Sequence, residues 1–299
     1  MAFLNWALSG YRKREREILP DPYENRGKVI PSFRRGQDQL PTEGHLLEIN
    51  SVSLAFGGLL VLNSVSINFP PGVIHAIIGP NGAGKTSLLN CICQVYEPDQ
   101  GTVCFEGVDL HGLRPDQVAK AGLARTFQQI ELFAGMTVGD NIMLGGHIFS
   151  KGRIFKGGLW LPSMVREEII NRKMAEEIIE FLNLEPYRDI PVGALPYGVQ
   201  KRVDLGRALA MNPKMLLLDE PCAGMNQEET EDMARFILDI REELNITIVI
   251  IEHNMHVIMD LSDRVSVLNF GSLIAEGTPQ EVQRFPEVIE AYLGSRDAR

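Results

Sequence analysis

Cysteine is scarce in this chain: four in 299 residues (Cys91, Cys93, Cys104 and Cys222), none in a Cys-x-x-Cys pair and none spaced with histidine as metal ligands are. This excludes a disulfide scaffold and leaves four reduced thiols, as expected of a cytosolic protein. Long apolar runs are missing as well. No stretch reaches the roughly 18 to 20 uninterrupted apolar residues of a membrane span. The opening Met-Ala-Phe-Leu-Asn-Trp-Ala-Leu is apolar but short, with no basic segment before it and basic residues after it. It does not read as a signal peptide. Basic charge is in deficit, with 29 Lys and Arg against 39 Asp and Glu. Broad nucleic-acid binding uses a basic face, so no nucleic-acid partner is expected. What remains is ordinary globular composition, 44% hydrophobic and 23% charged. It suffices for the core of one large domain or two modest ones.

Residues 1–44 stand apart. They hold Pro20, Pro22, Pro31 and Pro41 and a slight excess of basic over acidic residues, whereas the remainder carries the acidity. They read as a flexible N-terminal extension. Within it, Met1–Glu17 is either a solvated tail or a short basic amphipathic helix that touches a membrane or partner. The globular part spans 45–299. Leu47–Phe56 and Val61–Phe69 read as paired strands joined at Gly57-Gly58. Val73–Ile78, Met215–Leu218 and Ile246–Ile251 are short, mainly apolar runs, as strands buried on both faces are. Lys85–Val95, Thr137–Leu144, Val165–Leu182 and Val199–Ala210 have helical spacing. Val103–Phe105, Arg264–Leu268 and Leu273–Ala275 complete the strands, and short helices near Pro279–Arg284 and Pro286–Leu293 end the chain. Strands alternating with helices predict an α/β fold with a parallel sheet and crossover helices.

Two motifs carry chemistry. Gly79-Pro80-Asn81-Gly82-Ala83-Gly84-Lys85-Thr86 fits G-x-x-x-x-G-K-[ST] between a predicted strand and a predicted helix. Glycines let successive backbone N–H groups turn into one concave space for phosphate oxygens, and the helix N-terminus adds donors and a positive dipole end. Lys85 supplies a point charge for the outer phosphates, and the Thr86 hydroxyl can ligate Mg²⁺. In Met215-Leu216-Leu217-Leu218-Asp219-Glu220 a buried strand ends in adjacent carboxylates that alternation sends apart. Asp219 can hold Mg²⁺, and Glu220 can polarise a water toward the γ-phosphate. His253, at the end of another strand, can contact that phosphate or water. His253 and His256 lack further ligands and do not make a metal site.

Together these residues resemble the nucleotide-binding subunit of an ABC transporter, over about Leu46–Gly294. The resemblance implies a P-loop α/β core, an antiparallel β edge sheet and a helical subdomain inserted at about 129–211. It assigns Phe56 to stacking on adenine and Gln128 to linking Mg²⁺ with a transmembrane partner. It makes Ala223-Gly224-Met225-Asn226 a dimer-facing loop and His253 the switch histidine. The nucleotide-binding set is then Phe56, Gly79, Pro80, Asn81, Gly82, Ala83, Gly84, Lys85, Thr86, Ser87 and Gln128. The metal set is Thr86, Gln128 and Asp219, and the catalytic set is Glu220, His253 and Lys85, acting on ATP with Mg²⁺. Phe56-Gly57-Gly58-Leu59, Ala124 to Gln128, Ile251 to Met255 and the ending Ala291-Tyr292-Leu293-Gly294 look like the ATPases of branched-chain (hydrophobic) amino-acid importers. Relatives of that group serve urea and amide importers, so the implied solute is a branched-chain amino acid or a related small amide or urea.

The implied partners are transmembrane permease subunits, a second ATP-binding subunit in a heterodimer rather than a homodimer, and a periplasmic or extracellular solute-binding protein reached through the complex. The implied location is peripheral, on the cytoplasmic face of the inner membrane. The permease would dock on about Gln129–Leu195, with the aromatic Gly152–Leu161 either in that contact or packed on its own subdomain. One position departs from the family. Its signature begins Leu-Ser-x-Gly, and here the segment is Leu195-Pro196-Tyr197-Gly198. Proline has neither the hydroxyl that would reach the opposite subunit's γ-phosphate nor an N–H. Slow turnover of the partner-held ATP follows as an expectation. So does an alternative reading as a regulatory ATP-binding subunit with weakened hydrolysis. A non-transport ABC ATPase is the other alternative. The acidic charge and the single phosphate loop weigh against it.

Overall fold

The computed structural model describes residues 44–147 and 162–293. The expectations for the N-terminal extension, for Gly152–Leu161 and for Gly294 lie outside the described residues.

The three mainly apolar runs become β3 (Ile74–Ile78), β7 (Met215–Asp219) and β8 (Thr247–Ile251), each buried at every position. They sit inside a six-stranded sheet that also contains β6 (Leu123–Arg125), β9 (Arg264–Asn269) and β10 (Ser272–Gly277), in the order β10-β9-β3-β8-β7-β6. All its pairings are parallel except β10 with β9. Burial on both faces explains the missing polar alternation. Ile74, Ala76, Leu216, Leu218, Ile248 and Ile250 join the apolar cluster on one face, and Ile77, Met215, Leu217, Val249 and Ile251 join the cluster on the other.

The second sheet is antiparallel, in the order β2-β1-β4-β5, from β1 (Leu47–Phe56), β2 (Leu59–Phe69), β4 (Gln100–Phe105) and β5 (Val108–Asp109). It packs, with α1 (Lys85–Ile92), on one face of the main sheet. The other face carries α3 (Val138–Gly146), α4 (Pro162–Phe181), α5 (Tyr197–Leu209), α6 (Gln227–Leu244) and α7 (Met255–Leu261). Helix α3 packs against α4 and α5. α2 (Pro115–Ala121), α8 (Pro279–Val282) and α9 (Pro286–Leu293) complete the helices named here. Among the described residues no helix is long and apolar enough to cross a membrane.

The elements differ from expectation mainly at their ends. α1 stops at Ile92 because Gln94 turns left-handed (φ 55°) and its amide caps the Cys91 carbonyl. α5 starts at Tyr197 rather than at Val199, because Pro196 (φ −55°, ψ 151°) is a ready-made entry residue for a helix. β5, β6, α2, α6 and α7 have no counterpart among the ranges expected from sequence. β6 is three residues long and owes its existence to pairing with β7, Leu123 opposite Met215.

Candidate nucleotide-binding and hydrolysis site

The apolar strand β3 ends at Ile78, and the chain leaves it through Gly79 at φ 151°. A Cβ there would strike the Leu268 carbonyl of β9, so only glycine permits this tight exit. Gly84, at φ 96°, is the residue before α1, and a Cβ on it would lie 2.8 Å from the Val61 carbonyl. Between them the loop folds back so that the Lys85 Nζ donates to the Gly79 carbonyl at 2.8 Å and to the Pro80 carbonyl at 3.0 Å. Lys85 is only 7% exposed. Burial pushes its pKa down, and the nearby Glu220 and Asp219 carboxylates push it back up. Asn81, Gly82 and Thr86 are exposed, Pro80 and Ser87 are half-buried, and Ala83 is buried. Phe56 ends β1 with about half its surface open and packs edge-on against Tyr96, ring centroids 5.1 Å apart.

Asp219 is the last residue of β7 and lies beside Ile251, the last of β8. Its side chain is 2% exposed, and its Oδ2 accepts from the Arg125 Nη2 at 2.8 Å. Its Oδ1 is buried and has no hydrogen-bond partner in the protein. The chain then turns sharply. Glu220 takes a left-handed conformation (φ 51°), which costs a non-glycine residue on the order of 1 kcal/mol or more. The Glu220 N–H donates to the Ile251 carbonyl at 2.9 Å, and its carbonyl accepts from the Lys201 Nζ at 3.3 Å. The two carboxylates go to different neighbours, as expected, but through the left-handed turn at Glu220 rather than through strand alternation, since β7 ends at Asp219.

The Glu220 carboxylate joins three loops. Its Oε2 accepts from the Gln128 Nε2 at 2.8 Å, and its Oε1 lies 2.9 Å from the His253 Nε2. Gln128, Glu220 and His253 therefore meet at one point, although they are far apart in sequence. Three further groups hold this arrangement that sequence reasoning did not single out. Lys201, buried on α5, also donates to the Gln128 carbonyl at 3.0 Å and lies 5.8 Å over the Tyr197 ring. The Glu252 carboxylate accepts from the backbone N–H groups of Cys222 at 2.8 Å and His253 at 3.1 Å, bridging the loops after β7 and β8. Arg125 braces Asp219. A lysine buried amid the apolar positions of α5, and an acid directly before His253, were the signals available. Asn254 caps α7, its side-chain oxygen accepting from the His256 N–H at 3.0 Å, and His256 stays apart from this cluster. Among the described residues no three His, Cys, Asp or Glu side chains form a metal-binding group.

The arrangement has the parts for phosphoryl transfer to water. It offers a backbone cradle with a buried cation, hydroxyl and carboxylate oxygens of the kind hard divalent cations take, and a carboxylate able to accept a proton. Comparison with known proteins agrees. The family profile described as ABC transporter matches residues 62–223, and that described as branched-chain amino acid ATP-binding cassette transporter matches 272–298. The high-affinity branched-chain amino acid transport ATP-binding protein LivG of Escherichia coli K12 is 39% identical over 83% of this chain and 98% of its own length. BraF of Pseudomonas aeruginosa, of the same description, is 36% identical over the same shares. A nucleotide-free ATP-binding cassette of an ABC transporter superposes with a TM-score of 0.73 at 33% identity, over 83% of this chain and 99% of that one. An ADP conformation of such a cassette gives 0.72 at 32%, over 84% of this chain and 100% of that one. The chain belongs to the ABC transporter family, as an ATP-hydrolysing cassette subunit.

Proposed function

We propose that this chain powers import of branched-chain amino acids, or of a related small amide or urea-type solute, by binding and hydrolysing Mg·ATP. The convergence of Gln128, Glu220 and His253 beside the Lys85 cradle carries the reading. In it, the loop Gly79–Thr86 with Ser87 wraps the phosphates, and Phe56 stacks on the adenine. Lys85 exchanges its two carbonyl partners for phosphate oxygens. Thr86, Gln128 and Asp219 fit a Mg²⁺ ion, since their donors are oxygens and Asp219 keeps one without a protein partner. Mg²⁺ would supply charge neutralisation along the phosphate oxygens. Glu220 takes the proton of the attacking water, and His253 steadies the water and the γ-phosphate. Gln128 and His253 each hold one Glu220 oxygen, which orients the carboxylate and leaves lone pairs free to take the proton of the water.

In this reading the chain sits on the cytoplasmic face of the inner membrane, bound to permease subunits through the helical subdomain at about 129–211. Exposed Phe127, Phe133, Ile169 and Ile170 on or near that subdomain supply an apolar docking surface. A second ATP-binding subunit closes on it as a heterodimer, and a solute-binding protein delivers cargo to the complex. The LivG and BraF relatives, named for branched-chain amino acid transport, support the solute class.

The test is Glu220→Gln. The variant is expected to bind a fluorescent ATP analogue within about twofold of wild type, while kcat falls by two orders of magnitude or more, as loss of general-base catalysis does. Undiminished hydrolysis would remove Glu220 from the role of base.

A further inference from the structure

Arg125 is an uncommon kind of arginine: its side chain is 7% exposed and serves two elements at once. Its Nη2 donates to the Asp219 Oδ2 at 2.8 Å, and its Nη1 donates to the Asn90 Oδ1 at 2.6 Å on α1. The guanidinium lies 5.2 Å over the ring of Phe127, one residue before Gln128. Asp219 is therefore divided. One oxygen is held by a permanent cation, and the other is buried and bare of any protein donor. A buried oxygen left without a donor is costly, roughly 1–3 kcal/mol, so the fold retains it against its own stability.

A carboxylate with no fixed partner would swing about its terminal bond, and one with every lone pair taken by a donor would offer nothing to a cation. Arg125 removes the first freedom and leaves the second oxygen bare. Arginine suits this task. Its planar fork meets two acceptors in fixed directions, and it does not lose its proton. Through Asn90 the same fork fixes the carboxylate relative to the helix that follows the phosphate loop.

We propose that Arg125 is a positioning residue for the divalent cation: by gripping the Oδ2 of Asp219 and anchoring on Asn90, it presents the Oδ1 to Mg²⁺ in register with the phosphate cradle. The proposal rests on the reading of Asp219 as a metal-holding carboxylate. It adds a group that touches neither metal nor nucleotide. Groups that orient a metal ligand change metal affinity about ten- to a hundredfold when removed.

The experiment titrates Mg²⁺ against the full chain in the presence of a fixed, subsaturating fluorescent ATP analogue. It reads the Mg²⁺ concentration at half-maximal change, with binding in EDTA measured alongside. Arg125→Met is expected to raise that concentration about tenfold or more, with binding in EDTA unchanged. Arg125→Lys keeps the charge but cannot span both acceptors, and it is expected to fall between wild type and Met. Asp219→Asn is the reference and shifts at least as far as Arg125→Met. An unchanged Mg²⁺ requirement in Arg125→Met, while Asp219→Asn shifts, overturns the positioning role and spares the metal reading. No shift in Asp219→Asn overturns both. Should the Met variant fail to fold, the Lys variant decides: a shift of about threefold or more supports the proposal, and none overturns it.

Discussion

His75 lies fully buried on β3, its Nε2 2.8 Å from the Ser266 Oγ and its Nδ1 without a partner. Burial, helped by the Arg264 charge, pushes its pKa down to about 3 from the ordinary value of 6.5. Between those values the unfolded chain binds a proton that the folded chain refuses, so stability falls as pH drops from about 6.5 toward 3 and levels off below. Replacing His75 with a neutral residue such as Gln is expected to flatten this part of the stability profile, measured by urea melts at several pH values. An identical slope in the variant would contradict a neutral buried His75. The buried place of His75 bears on stability. Lys85, Asp219, Glu220 and His253 are legible in sequence because each ends or follows an apolar strand or sits at fixed spacing in a glycine loop. Arg125, Lys201 and Glu252 are not. Each has a partner far off along the chain (Arg125 and Asp219 are 94 residues apart, Lys201 and Gln128 73, Glu252 and Cys222 30), and no local pattern names that partner.

At the scale of elements, local chemistry locates most strands and most helices but not their ends. α6 opens with a capping box, the Asn226 side chain accepting from the Glu229 N–H at 2.9 Å while the Glu229 carboxylate accepts from the Asn226 N–H. α5 has no such cap, because Pro196 cannot provide one. The Gln200 amide donates to the Leu195 carbonyl at 2.8 Å, which ties the helix to its lead-in but leaves its first N–H groups without a side-chain acceptor. Leu195 is extended (φ −90°, ψ 152°), as a residue before proline must be. Pro196→Ser would add a cap of about 1 kcal/mol and give up a similar restraint on the unfolded chain, so the melting temperature should barely move. Turnover of ATP held by the partner subunit should instead rise about tenfold, as recovery of one charge-assisted contact allows. The measurement uses an assembly in which this chain's own site is silenced by Glu220→Gln. Unchanged turnover there would contradict the expected role of position 196.

At the scale of the molecule, two apolar clusters sandwich the main sheet, and the site lies where β3, β7 and β8 end on the same edge. Parallel strands bring their C-terminal ends together, which is where ligands of open α/β sheets bind. This placement follows from the order of apolar runs and was legible before any coordinates. The bridge from Gln128 through Glu220 to His253 was not, because it depends on a left-handed turn at a glutamate that no propensity would assign. The most direct test is a crystal structure of the full chain with Mg²⁺ and a non-hydrolysable ATP analogue. The account predicts the triphosphate inside the Gly79–Thr86 loop, Lys85 turned from the Gly79 and Pro80 carbonyls onto its oxygens, and the metal facing the bare oxygen of Asp219. A vacant loop, or nucleotide bound with Lys85 and Asp219 undisturbed, would contradict it.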